Sequence, residues 1–286
     1  MRGKTILLTG ASSGFGRLAV PMMLDEGHTV IAAMRGGEAR LREIFADEVA
    51  HHGGRLVSVD LHMERSASFA DVARKIDEHF GGRLDVLVNN AGYGLLGPLE
   101  DQTEAQIRHQ FEVNVFGPVL LTKALLPALR RTRGRVLFVG SIAGSIVSPF
   151  YGSYAASKHA IEAYAESLRH ELTPVGVQVA LVSPGSFKTE FAARSLVLSE
   201  GSKDPSSRYH DEMRTFERSI RSYGGRGGDP SRVARLITDL CERARIPLRT
   251  LIGPDAKAMS ALKRTLPDRV RFAAMNVGFR KIMLGT

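Results

Sequence analysis

From Thr5 to Val182 the chain alternates short, β-branched apolar runs with longer stretches in which apolar residues recur at helical spacing. That rhythm predicts βαβ units around a mostly parallel sheet. The predicted strands are Thr5 to Leu8, Thr29 to Ala33, Leu56 to Val59, Val86 to Asn89, Val136 to Val139 and Val177 to Val182. Their unbroken apolar character fits strands covered on both faces. Helices are predicted over Arg17 to Glu26, Arg65 to Phe80, Glu104 to Leu129 and Tyr154 to Leu172. Further on, Asp229-Pro230 predicts a cap and a first helical residue, opening a helix to about Arg243, and Leu248 to Ile252 predicts a last strand.

One stretch departs from the rhythm. Phe191 to Gly228 is polar and Ser-rich and ends in Gly224-Gly225-Arg226-Gly227-Gly228. A long insertion after the carboxyl end of a strand is expected to be a lid over a binding site, here residues 190–228, with a disordered surface excursion as the alternative. No repeat, heptad run or dividing linker is visible, so residues 1–286 are expected to form one α/β domain, with 256–286 as a basic and apolar C-terminal extension.

Composition narrows the classes. With 286 residues, 43% of them apolar, the chain can bury a substantial core, which excludes a disordered or collagen-like protein. The single Cys241 cannot close an intramolecular disulfide, so a reducing, cytoplasmic setting is expected. No apolar run approaches the roughly 18 residues of a spanning helix, and Met1 to Lys4 leaves no room for a signal peptide before the first apolar run. The nine His residues show no HxxxH or HExxH arrangement, so no metal site is expected. The net charge of +9 is unevenly spread: residues 1 to 189 hold 20 basic and 19 acidic side chains, and residues 190 to 286 hold 19 and 11. The excess therefore belongs to the lid and tail, and without a zinc spacing, RNA-binding signature or recognition-helix pattern it is no argument for nucleic acid.

The first strand runs straight into Thr9-Gly10-Ala11-Ser12-Ser13-Gly14-Phe15-Gly16. Glycines at these positions let the backbone turn sharply and approach a ligand, and the free N–H groups at the helix start attract a pyrophosphate. Alone, such a loop could equally be a tight turn. It does not stand alone. Asp60-Leu61, Asn89-Asn90-Ala91-Gly92, Asn114, Ser141, Tyr154-x-x-x-Lys158 and Pro184-Gly185 with Thr189 follow it in order. In these residues, from 9 to 189, the chain resembles the short-chain dehydrogenase/reductase superfamily, nearest in look to its steroid and retinol dehydrogenase branch. The resemblance implies a Rossmann-like, doubly wound parallel sheet with helices on both faces, and a nicotinamide cofactor bound across the carboxyl ends of its strands.

It further implies roles for named residues. Gly10, Ser12, Ser13, Gly14, Phe15 and Gly16 form the diphosphate loop. Asp60 and Leu61 lie at the adenine, although Asp60 could instead cap the helix beginning near Arg65, and Asn90, Ala91 and Gly92 lie along the adenosine side. Pro184, Gly185 and Thr189 resemble the nicotinamide and carboxamide site. After Asp60 the family often has Val-Thr-Asp, whereas this chain has Leu-His-Met. The second strand ends Met34-Arg35, with Met34 where NAD-preferring members carry Asp; a cation there favours a 2′-phosphate. NADP(H) is therefore expected over NAD(H), with Arg35 as phosphate partner and Ser12 as a second donor. The alternative for Arg35 is a solvated residue at a helix start.

Of six tyrosines only Tyr154 has a Lys four residues on. At that spacing both side chains share one helix face, and a nearby ammonium is expected to lower the phenol from its ordinary pKa of ~10 toward neutrality. Tyr154 is then the expected proton donor and acceptor, and the resemblance adds that Lys158 binds the nicotinamide ribose. Ser141 follows the strand Val136 to Val139, where a hydroxyl can donate to a carbonyl oxygen gaining charge; Ser145 and Ser148 are nearby rivals. Asn114 lies in an otherwise apolar helix and, by the resemblance, holds a water on the proton path from Lys158; it could also be a structural amide.

The expected reaction interconverts a carbonyl and a primary or secondary alcohol by hydride transfer. Candidate substrate walls are Tyr93, Gly94, Leu95, Pro149 to Tyr151, Phe187 and the lid. A hydrophobic substrate resembling a steroid or retinoid is expected, with small ketones or 3-oxoacyl thioesters as the alternative and a silent NADP(H) sensor as a third reading. Homodimers or homotetramers are implied by the family. The tail's apolar residues, from Met259 and Leu262 to Ile282 and Met283, suggest a weak membrane-surface contact or, alternatively, packing over the cleft with cations outward. Cys241 is expected in the core.

Overall fold

Seven of the apolar runs pair side by side in parallel, and helices on both faces keep them from water. The structure, a computed structural model, describes residues 3–223 and 227–281. Gly224, Gly225 and Arg226 of the glycine run, and Ile282 and Met283 of the tail, lie outside the described residues.

The strands in chain order are β1 (Thr5–Thr9), β2 (Thr29–Met34), β3 (Leu56–Asp60), β4 (Val86–Asn89), β5 (Gly94–Leu96), β6 (Arg135–Val139), β7 (Gln178–Pro184), β8 (Leu196–Leu198) and β9 (Arg249–Ile252). The helices are α1 (Gly14–Asp25), α2 (Gly37–Ile44), α3 (Ala46–His52), α4 (Ala67–Phe80), α5 (Glu104–Phe111), α6 (Gly117–Thr132), α7 (Gly152–Leu172), α8 (His210–Tyr223), α9 (Ser231–Glu242), α10 (Pro254–Thr265) and α11 (Asp268–Phe279).

The main sheet has the order β3-β2-β1-β4-β6-β7-β9. The chain winds outward from β1 to β3, crosses back to β4, and winds outward the other way. The loops leaving β1 and β4 therefore diverge and open a crevice at their carboxyl ends. On one face, Ala19, Val20 and Met23 of α1 pack with Val233, Ile237 and Cys241 of α9. On the other, Val72 and Ile76 of α4, Leu121 and Leu125 of α6, and Ile161 and Ala165 of α7 do the same. Cys241 is fully buried, as its apolar helix face predicts.

Three expectations change. The long helix from Glu104 is interrupted by a π turn, Glu112–Phe116, between α5 and α6, and Asn114 lies in that turn. A capping box between Thr103 and Gln106 starts α5. Joined together, Glu104–Thr132 is also long and apolar enough by composition to cross a membrane, against the expectation that nothing approaches that length; half of its most apolar window is buried, and Leu121, Leu125 and Leu129 sit in the core. The third change concerns the lid. It is not a plain polar loop: β8 pairs in parallel with β5, and α8 buries Met213, Phe216 and Ile220. Those three recur at helical spacing, a signal masked by the Ser and charged residues around them.

α9 begins one residue later than expected, because Pro230 is the cap while Asp229 Oδ1 accepts from the Ser231 N–H at 2.9 Å. The tail forms α10 and α11. Phe279 joins an aromatic cluster with Phe150 and Phe216, whereas Leu262, Val270, Phe272 and Val277 stay exposed.

Candidate active site

At the end of β1 the chain needs a sharp turn pressed against the loop from β4. Gly10 has φ +67°, and a Cβ there would lie 2.9 Å from Ala91 Cα. A Cβ on Gly16 would collide with the Gly10 carbonyl oxygen. Both glycines are thus dictated by close packing. Asn90 locks the arrangement: its Nδ2 donates to the carbonyls of Thr9 at 2.9 Å and Gly10 at 3.2 Å. The Thr9 hydroxyl accepts from the Asn90 and Ala91 N–H groups.

Gly14 differs. Its φ is +53°, and a Cβ there would meet only Thr189, at 4.0 Å, so the position opens into the cavity. α1 begins there with no side-chain cap on its N-terminus and no acidic residue in its first turn. An uncapped helix start, facing open space with its dipole unopposed, is the donor set that a diphosphate requires. A dinucleotide cofactor fits these residues.

The second wall comes from α7. Tyr154, Lys158 and Glu162 recur every fourth residue and share one face. Tyr154 and Lys158 are buried, with the ammonium 5.8 Å from the phenol ring centroid. Lys158 Nζ donates to the Val139 carbonyl at 3.0 Å. The expected direction of the Tyr154 shift is reversed. Burial pushes the phenol up, and the hydrogen bond with Ser141 is what opposes it. Burial likewise holds Lys158 down at about 8. Removing both groups from water disfavours each charged form, and at this separation the ammonium does not reverse that.

Ser141 follows β6 and begins a turn, Ile142–Gly144, whose Ala143 N–H donates to its Oγ at 3.1 Å. Of its rivals, Ser145 Oγ points to Glu162 Oε1 at 3.4 Å, and Ser148 lines the cavity. Glu162 is the missed member of the stripe. Its carboxyl is raised by burial, it also lies 3.8 Å from Arg249 Nε, and a Cβ on Gly144 would lie 2.7 Å from its Oε1.

Asn114 is fully engaged. Its Nδ2 donates to the Tyr93 carbonyl at 2.8 Å and to Ser157 Oγ at 3.1 Å, and its Oδ1 accepts from the Tyr93 N–H at 3.0 Å. The π turn aims the amide at the β4 loop. A Cβ on Gly92 would lie 3.1 Å from Asn114 Oδ1 and 3.7 Å from Lys158 Nζ, so the missing side chain leaves the two facing one gap.

These groups surround a cavity of about 380 Å³. Gly10, Ser13, Gly14, Phe15, Asn90, Ala91, Gly92, Ser141, Tyr154, Lys158, Pro184, Gly185 and Thr189 line it. Ser12, Gly16, Arg35, Asp60, Leu61 and Asn114 do not. Arg35 is exposed in the turn after β2. Asp60 Oδ1 accepts from the Gly36 N–H of that same turn at 2.9 Å, so it caps neither α4, which starts at Ala67, nor its flank. Leu61 is buried beside it.

The substrate walls also need correction. Leu95 is fully buried, and Tyr93 turns away to pack on His109, with its phenol pushed up to about 12 by burial. Gly94 admits Leu196, whose Cδ2 would lie 2.8 Å from a Cβ there. Phe150, at φ +66°, stands behind the wall in the aromatic cluster. Tyr151, Phe187 and Phe191 do line the cavity, joined by Ile142, Ile146, Leu196 and Ile220. Asp255 and Met259, from the tail, complete it. Their i, i+4 spacing was the available signal, but only the fold brings α10 to this crevice.

The chain is similar to known proteins over most of its length. A family model described as short chain dehydrogenase matches residues 4–196. A 3-ketodihydrosphingosine reductase of Bacteroides thetaiotaomicron is 33% identical over 281 residues, 97% of this chain and 98% of that protein. Retinol dehydrogenase 8 of Bos taurus is 34% identical over 274 residues, 93% of this chain and 86% of that protein. The crystal structure of a short-chain dehydrogenase from Streptomyces avermitilis superposes with a TM-score of 0.79 at 33% identity, covering 99% of this chain and 98% of that one.

Proposed function

The chain belongs to the short-chain dehydrogenase/reductase family and is a dehydrogenase/reductase, and on that premise we propose that it interconverts a hydrophobic carbonyl and its alcohol with NADP(H). The observation that carries the reading is the convergence of Ser141, Tyr154 and Lys158 on a cavity that begins at the uncapped start of α1.

The N–H groups at the start of α1, with Ser13 and Gly14, hold the diphosphate, and Gly185 and Thr189 border the nicotinamide end. Met34 and Arg35 at the end of β2 favour the 2′-phosphate, with Asp60 and Leu61 at the adenine side. The cofactor, when bound, supplies or accepts the hydride. The protein's own groups manage the oxygen and the proton. Ser141 Oγ donates to the substrate oxygen as it gains negative charge, and the Tyr154 hydroxyl delivers the proton to that oxygen in the reductive direction. Lys158 passes the replacement proton toward Tyr154, and Asn114, facing the same gap beside Gly92, holds a water that continues that path. Ile142, Ile146, Phe191, Leu196 and Ile220 exclude water and favour an apolar substrate.

The two relatives named above act, by their names, on 3-ketodihydrosphingosine and on retinol. That supports a hydrophobic carbonyl over a small ketone or a 3-oxoacyl thioester, and the intact Ser-Tyr-Lys set disfavours a silent sensor. Phe116, Leu120 and Tyr164, exposed on the helices that follow β4 and β6, support a dimer or tetramer through those helices. Met259 on the cavity and Phe279 in the aromatic cluster support reading the tail as a cover of the cleft, with a weaker surface contact to membranes through exposed Val270, Phe272 and Val277. NADPH consumption screened over 3-ketosphingoid bases, retinaldehyde, ketosteroids and short ketones tests the reading. Oxidation of NADPH by at least one long-chain carbonyl supports it; turnover confined to NADH or to short polar ketones overturns the cofactor or the substrate assignment respectively.

A further inference from the structure

The tail helix α10 carries almost no core. Ala256 is its one buried residue, and Leu262 stands exposed. What ties it to the body of the protein is polar. At its first turn, Asp255 Oδ2 accepts from the Ser186 N–H at 2.6 Å. Two turns later Lys263 Nζ donates to the Ser145 carbonyl. Ser186 lies in the segment Pro184–Thr189, which borders the proposed nicotinamide end, and Ser145 closes the turn that begins at Ser141. Met259, between them on the same face, lines the cavity.

The Asp255 contact is closely built. Its Oδ1 is buried without a hydrogen-bond partner among the described residues. A Cβ on Gly185 would collide with that oxygen, and one on Gly253 would lie 2.6 Å from it. Neither glycine can carry a side chain while the carboxylate is in place, so the backbone at Gly185 lies directly against the start of α10. Gly185 N–H in turn donates to the Ile252 carbonyl at 2.9 Å. The Ser186 hydrogen bond and the two flanking glycines hold the carboxylate in one place. Downstream, Phe187 packs edge-on against Phe15 of the glycine loop, with centroids 5.9 Å apart. Fixing Ser186 therefore fixes the gap between the two walls of the cofactor cleft. At the other end, a charge-assisted bond from Lys263 holds the serine turn from outside, while Glu162 holds Ser145 Oγ from α7.

We propose that α10 is a strut across the active site, in which Asp255 is a positioning residue for the cofactor-side segment Pro184–Thr189 and Lys263 is a positioning residue for the turn of Ser141. The inference rests on the carbonyl reductase reading above. It gives two charged residues of α10 a defined role, each acting through the loop that it holds.

The full-length protein is used, with NADPH binding followed by fluorescence titration, turnover by the best long-chain carbonyl of the screen, and thermal unfolding recorded for each variant. Asp255→Ala weakens NADPH binding by about fivefold or more with a smaller change in kcat, because the misplaced segment costs binding before chemistry. Asp255→Asn, whose amide oxygen still accepts from Ser186, restores binding to within about twofold. Lys263→Met lowers kcat by about tenfold and leaves NADPH binding within about twofold, and Lys263→Arg recovers most of the loss. The strut is overturned if Asp255→Ala binds NADPH like the parent, if Asp255→Asn is as weak as Asp255→Ala, or if both single variants lose binding and kcat in proportion to their fall in thermal stability. A parent protein that binds neither NADPH nor NADH overturns the functional reading itself; a parent that binds while the variants match it overturns the strut alone.

Discussion

Two helices about 80 residues or more apart in the chain border one cavity. α7 offers Tyr154, Lys158 and Glu162, and α10 offers Asp255, Met259 and Lys263, each set at four-residue spacing. The first holds the buried Tyr154 and Lys158 and comes from the nearly neutral part of the chain. The second comes from the basic tail and is held mainly by polar contacts at its two ends. Burial shifts the α7 groups away from their ordinary acidities, whereas Asp255 and Lys263 of α10 grip loops through hydrogen bonds. Chemistry needs perturbed groups in a dry site; positioning needs only fixed ones.

The sharpest way to break this contrast is Tyr154→Phe. It removes the proton donor while keeping the ring, so turnover is expected to fall at least ~1000-fold with NADPH binding retained, whereas Met259→Ala on α10 changes turnover by less than about tenfold. Equal effects in steady-state assays would erase the distinction. Ser141→Ala comes next, with an expected loss of about 100-fold in kcat, since one donor to the developing oxyanion is lost. A change in KM alone would assign Ser141 to ground-state binding.

A smaller effect concerns Lys158. Because burial depresses its pKa to about 8 from 10.5, the cofactor-free fold carries a cost while this lysine is charged. That cost is relieved as the pH rises through about 8 toward 10.5, where the unfolded chain still binds the proton. The parent's stability is therefore expected to rise across that window relative to Lys158→Met, by on the order of 1–3 kcal/mol. Urea midpoints at about pH 7.5 and about pH 10 measure it, and parallel profiles for the two proteins would remove the burial argument.

The strands were legible because β-branched apolar runs buried on both faces resemble little else: Thr5 to Leu8 and Val86 to Asn89 lie within a residue of β1 and β4. The Gly10 to Gly16 loop and the Tyr154–Lys158 pair were legible because each depends on contiguous spacing, one on a turn and one on a helix face. Met213, Phe216 and Ile220 had the right period, but their polar surroundings concealed α8. Tyr93 and Leu95 were misplaced as walls because nothing local shows that Gly94 admits Leu196, more than 100 residues away. Beyond their four-residue spacing around Met259, Asp255 and Lys263 read only as an acid and a base in a charged helix, and their meaning lies in Ser186 and Ser145.

Alone, the amino-acid sequence determined the parallel α/β class, the glycine loop, the order of the family's residues and the location of the excess charge, since all of these follow from local spacing and composition. Tertiary structure decided the rest. It set the direction of the Tyr154 and Lys158 shifts, because desolvation is a property of the surroundings rather than of the neighbour four residues away. It broke the helix at Asn114 so that its amide meets Tyr93, and it brought the basic tail across the cleft, where charges that look merely solvated in one dimension become the ends of a strut.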